Sequence, residues 1–119
     1  MSNLIKTEDE INAFINEEDF VERTCQQIIK DFSTVYPKDI DFQFNENGTL
    51  LSQLIEQIAF LLEDISKMGT GTILQLMYTI DIPENQYYNS LGFDDSQQKL
   101  GFLIIQREAQ KVYLRNKFS

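Results

Sequence analysis

"GTGTILQLMYTIDIP", residues 69–83, decides the fold class because it fits two incompatible templates. On a helix, Ile73, Leu76, Met77 and Ile80 fall at i, i+3, i+4 and i+7, with Thr72 and Gln75 as a capping pair. On a strand, Leu74, Leu76, Tyr78, Ile80 and Ile82 share one face. A strand needs a ladder partner. The other alternating run in the chain is Ile40, Phe42 and Phe44, and a two-stranded ribbon alone is marginal in water. The helix reading follows, and with it an all-α class. A strand over 72–82 would make the class α+β instead.

The flanking segments agree with helices. Leu51, Leu54, Ile58, Leu61, Ile65 and Met68 step by 3, 4, 3, 4, 3, and Leu50, Ile55, Ala59 and Leu62 widen the stripe. A stripe this wide suits a helix inside a bundle better than a two-stranded coiled coil. Gly69 stands where a C-terminal cap glycine belongs. Pro83 stops the ambiguous segment and opens a short helix with Tyr87, Tyr88 and Leu91 inward. Upstream, Thr7-Glu8-Asp9-Glu10 reads as a capping box ahead of Ile11, Phe14 and Ile15. The stripe resumes at Val21, Cys25, Ile28 and Phe32, with a break or bend near Asn16–Asp19, and Pro37 ends it. The spacing predicts an antiparallel bundle of four or five helices in one domain, residues 1–119, with an extended connector near 38–46. The predicted core takes in Ile11, Phe14, Val21, Cys25, Ile28, Phe32, Leu51, Leu54, Ile58, Leu61, Ile65, Leu76, Ile80, Leu103, Ile105 and Val112.

Composition narrows the chemistry. The chain has 119 residues, a formal net charge of −9, one cysteine and no histidine. Without histidine, Ser-His and Cys-His nucleophile systems are excluded, and no phosphate-binding glycine loop appears. Cys25 lies on an apolar stripe and reads as a small buried hydrophobe. A calcium-loop register at 43–48 fails at its twelfth position, where Leu54 replaces the bidentate glutamate. No catalytic set, cofactor or metal site is expected, so the reading is non-enzymatic. No apolar run approaches the roughly 20 residues of a membrane helix, and the acidic "MSNLIKTEDE" start is unlike a signal peptide. The expectation is a soluble, cytoplasmic protein that does not engage a membrane.

Charge is unevenly spread. Residues 1–95 hold 18 of the 19 acidic residues and 5 of the 10 basic ones, a net −13, whereas residues 96–119 carry +4. Within "GFLIIQREAQKVYLRNKFS", residues 101–119, Arg107, Lys111 and Arg115 recur at i, i+4 and i+8. Like charges so spaced repel by roughly 0.2–0.5 kcal/mol per pair, so counter-charge is expected from somewhere. One source is internal, across the rim from Glu17, Glu18, Asp19, Glu22, Glu56 or Glu63. The other is a partner. Ile104, Leu114 and Phe118 fall among the cations, and the mixed stripe of Arg107, Lys111, Arg115, Ile104, Leu114 and Phe118 reads as a partner-binding face. Three cations without a wider basic field make nucleic acid the weaker choice. The functional expectation is a protein–protein interaction module, an adaptor or small assembly subunit with an unidentified protein partner. Alternatives are a small acidic inhibitor of the immunity type and a nucleic-acid-associated protein using the last helix. Self-association into a homo-oligomer is also compatible with a basic stripe on an acidic chain.

Overall fold

In a computed structural model, residues 18–92 and 94–118 are described, leaving aside the side chains of 18 and 116–118. The capping box at Thr7, the core positions Ile11 and Phe14, and most of the Asn16–Asp19 junction lie outside them. Five helices make up the described chain: α1 Glu18–Phe32, α2 Leu50–Ser66, α3 Thr70–Ile80, α4 Glu84–Ser90 and α5 Ser96–Phe118. No strand occurs among the described residues, so residues 72–82 do not form one.

The ambiguous segment is helical because tertiary packing uses its helical face. Ile73, Leu76, Met77 and Ile80 are all buried, whereas Tyr78, which a strand would share with Leu76 and Ile80, is 86% exposed. The helix starts earlier than the expected Thr72 cap: Gly69, at φ 111, is the N-cap. That conformation favours glycine and lets α2 turn directly into α3. At the other end Asp81 takes the left-handed conformation, φ 78, and its amide and that of Ile82 donate to Met77 O. This closes the helix before Pro83.

Helix α5 is the axis of the domain and packs against each of the other four helices. It runs antiparallel to α2, since Gln97 bonds Glu63 near one end and Gly101 lies over Ile55 and Ile58 further along. It also runs antiparallel to α1, since Lys111 meets Asp31 while Arg115 meets Gln27. Helices α1 and α2 are therefore parallel to one another, and the chain between them must return a full helix length. Seventeen residues of α2 rise about 25 Å at 1.5 Å each. An extended chain covers that in about eight residues, which is why the connector near 38–46 is extended.

The connector finds a ladder partner after all, in side chains. Gln57 accepts from the Gln43 amide at 2.9 Å and donates to the Gln43 carbonyl at 2.7 Å. Gln53 does the same for Asn45, at 2.8 and 3.0 Å. Two glutamines at i, i+4 on a helix stand about 6 Å apart, close to the two-residue repeat of an extended chain. Phe42 and Phe44, on the alternate positions, pack half-buried against the core.

Burial corrects the predicted core in places. Leu61 and Leu103 are only half-buried, and Tyr88 and Leu91, expected inward, are 52% and 50% exposed. Helix α4 has seven residues, too few to turn more than Tyr87 and Ser90 inward. Ile104, placed by periodicity on the outer stripe, is completely buried, as are Ile105 and Ala109. A helix enclosed by four others has no wide outer face along its first half.

Candidate functional site

The polar seam between α1 and α5 is the chain's main departure from an ordinary helical interior. Thr24, Gln27 and Asp31 project from α1 at i, i+3 and i+7; Glu108, Lys111 and Arg115 project from α5 at the same intervals. Lys111 Nζ lies 3.0 Å from Asp31 Oδ2 and 2.9 Å from Glu108 Oε1. Gln27 donates to Asp31 Oδ1 at 3.2 Å and accepts from Arg115 at 2.7 Å. The result is a continuous chain from buried Glu108 through Lys111, Asp31 and Gln27 to the exposed guanidinium of Arg115.

Two carboxylates and one ammonium share this seam, so the protons are unevenly held. Burial pushes the Glu108 carboxyl up to about 8, the bond it shares with Asp31 adds to this, and Lys111 only partly offsets it. Glu108 has no exposed surface, and beyond the 2.9 Å ion pair with Lys111 its carboxyl has no hydrogen-bond partner among the described residues. Asp31 is also raised by burial, but hydrogen bonds from Glu108, Lys111 and Gln27 outweigh it and hold its carboxyl below the usual range. Burial lowers Lys111, and its two carboxylate partners more than restore it. The hydroxyl of Thr24, fully buried, has no hydrogen-bond partner among the described residues.

The proposed partner stripe is thus largely spent inside the fold. Arg107 pairs with Asp81 at 2.5 Å, Lys111 with Asp31 and Glu108, and Ile104 is core. Leu114 is half-buried, Arg115 is exposed, and the Phe118 side chain lies outside the description. Counter-charge is internal, as one of the two readings held, but among the described residues it does not come from the expected acids; Glu17 and the Glu18 side chain lie outside them. Asp19, Glu22, Glu56 and Glu63 face outward, while Asp31, Asp81 and Glu108 meet the cations. Glu108 carried a sequence signal that went unused: it is the single acid among residues 96–119.

Outside the seam two surface features stand out. A groove of about 350 Å³ runs between α1 and α5, lined by Arg23, Gln26, Gln27, Lys30, Val112 and Arg115. Its lining carries three cations and no carboxylate. Elsewhere on the surface, aromatic rings project from α2 and α3: Phe60 is 75% exposed and Tyr78 86%. Both lie nine residues from Gly69, the corner joining their helices. Phe60 stands between Glu56 and Glu63 on the outward stripe of α2.

Cys25 is buried, and desolvation pushes its thiol up to about 11, which suits packing rather than nucleophilic work. Among the described residues no three potential ligands gather as a metal site, and no helix is long and apolar enough to cross a membrane. No protein-family model matches the chain, and neither the curated proteins nor the solved structures compared with it contain a significant match.

Proposed function

We propose that this chain is a non-enzymatic protein–protein interaction module, of the adaptor or small-assembly-subunit kind, acting in the cytoplasm. The observation that carries the reading is the exposure of Phe60 and Tyr78. Both occupy outward helix positions where a polar residue would serve the fold equally well. Large exposed aromatics are the side chains that dominate protein interfaces, each burying about 150–250 Å² on contact. The acidic flanks of Phe60, Glu56 and Glu63, would steer a partner and set register. The nucleic-acid alternative loses support because Arg107 and Lys111 are neutralised by internal carboxylates.

The test is affinity capture with wild type beside a Phe60→Ser/Tyr78→Ser double variant, both shown to melt alike. The expected result is a defined protein retained by wild type, whose purified form binds the variant at least tenfold more weakly. Tenfold corresponds to about 1.4 kcal/mol, a modest share for two interface aromatics. Identical retention by the two baits would sink the reading.

A further inference from the structure

We propose that the connector at 38–46 is a docking edge for an extended segment of another protein, one with apolar residues alternating with lysine or arginine, which adds as a strand beside Phe42 and Phe44 in the groove between the connector and α1. The inference goes beyond the interaction-module reading: it names a second surface and the chemistry of its occupant, and it does not depend on Phe60 or Tyr78.

The connector has one satisfied edge and one open edge. In an extended chain the backbone groups of successive residues point to opposite sides. Gln57 and Gln53 take the N–H and C=O groups of Gln43 and Asn45 on the α2 side. The N–H and C=O groups of Phe42 and Phe44 therefore point the other way, and none of them makes a hydrogen bond among the described residues. They recur at the two-residue spacing through which a further strand pairs. Helices α1 and α2 each pack on α5 rather than on one another, so the open edge has room beside it. A groove of about 470 Å³ lies there, floored by Val21, Cys25, Ile29, Phe42, Phe44 and Leu50. The backbone edge supplies hydrogen bonds, and the floor receives the apolar side chains on one face of an added strand.

Charge selects the occupant. The charged side chains lining the groove are Glu22 and Asp41, both exposed, and no cation lines it. Neither acid forms an ion pair among the described residues, and Asp41 is met by the neutral amide of Gln43. Asp39 and Glu46, exposed near the two ends of the connector, add to the same field. A strand with apolar side chains on its floor-facing side carries its other side chains outward to this rim, where lysine or arginine meets the carboxylates. The chain itself offers the wrong sign. The connector of a second copy brings Asp39, Asp41 and Glu46 against Lys38. Residues 1–17 bring Glu8, Asp9, Glu10 and Glu17 against Lys6. Like charges facing one another across paired strands oppose the pairing, whereas a basic segment is drawn toward a chain of net charge −9.

The probe is a labelled, end-blocked peptide of about eight residues in which lysine and valine alternate, titrated with the full chain by fluorescence anisotropy. Saturable binding with a Kd below about 100 µM is expected. Glu22→Lys/Asp41→Lys, shown to melt like wild type, should weaken it by about tenfold or more, and a peptide with glutamate for lysine should not bind. N-methylation separates strand addition from charge attraction alone. Blocking the amides of one residue type, all valines or all lysines, should abolish binding, and blocking the other type should be tolerated, because a single edge of the peptide faces the connector. No binding by wild type, binding that the double variant keeps, or equal tolerance of both methylated peptides overturns the proposal. Binding that appears only in Ile11→Ser/Phe14→Ser would assign the groove to residues 1–17, and a wild-type dimer split by the peptide would assign it to a second copy; either also overturns it. Peptide binding that persists where Phe60 and Tyr78 prove dispensable for capture would remove the earlier reading and leave this one.

Discussion

Helix α5 is held on two sides by opposite means. Against α2 it closes by size: Gly101 lets the backbones approach, and an added Cβ would sit 3.4 Å from Ile55 O and 3.6 Å from Ile58 Cγ2. Leu54, Ile58 and Ile65 of α2 and Ile104 and Ile105 of α5 are fully buried there. Against α1 it closes by charge, with a lysine between two carboxyls and, among the described residues, a hydroxyl left without a partner. An apolar seam gains from every buried methylene, whereas a buried ionic seam repays desolvation only when all its members are present. The two seams should therefore respond differently to the same kind of damage.

The largest difference is expected from Lys111→Met, which leaves Asp31 and Glu108 facing each other in the interior. The loss should be about 3–5 kcal/mol by denaturant unfolding. Replacing all three, with Asp31→Leu and Glu108→Leu added, should recover most of that loss, because an apolar seam needs no counter-charge. If the triple variant is as weak as the single one, the charged seam does more than balance itself.

On the α2 side, Gly101→Leu should cost about 1–3 kcal/mol by overfilling the close approach. Gly101→Ala, whose Cβ just reaches contact distance, should be near neutral in the same unfolding assay. A costly alanine would mean that the backbones cannot separate at all.

A third measurement sharpens the contrast through pH. Glu108 holds its proton up to about pH 8 in the folded chain, against an ordinary value of 4.5. Between those values the folded state binds more protons than the unfolded one, so stability falls as pH rises through that window. Glu108→Gln should flatten the decline and melt above wild type near pH 9. Asp31 is shifted the other way, so its contribution is lost only in acid, as pH falls below the usual carboxylate range. A thermal-melt series from pH 5 to pH 9 in which wild type and Glu108→Gln run parallel would contradict the buried-acid assignment.

The smallest effect belongs to Arg107→Gln. Its pair with Asp81 is short, but the side chains are 36% and 71% exposed. Solvent screening leaves less than about 1 kcal/mol. The stripe that looked uniform in sequence, Arg107, Lys111 and Arg115, should thus divide into a structural member, a negligible one and one left exposed.

That division was not legible beforehand. Periodicity places a residue on a face of its own helix but does not say how many helices surround it. With α5 central, Ile104 and Lys111 went inward although they share a stripe with exposed Arg115. The same blindness applied to Tyr88 and Leu91, whose helix α4 is too short to turn them in. Nor could composition show that Gln53 and Gln57 would stand in for a missing strand, since that depends on α1 and α2 being parallel.

What the sequence determined by itself was local: the helical repeat, the corner at Gly69, the stop at Pro83, the extended run ending near residue 46, and the lack of histidine chemistry. These follow from backbone sterics and side-chain period, which act within a few residues. Which carboxylate meets which cation, which aromatics remain outside, and whether an apolar residue on a mixed stripe is core or surface were decided by tertiary structure. Burial and charge pairing are properties of helices brought together from distant parts of the chain, and Asp31 meets Lys111 across 80 residues.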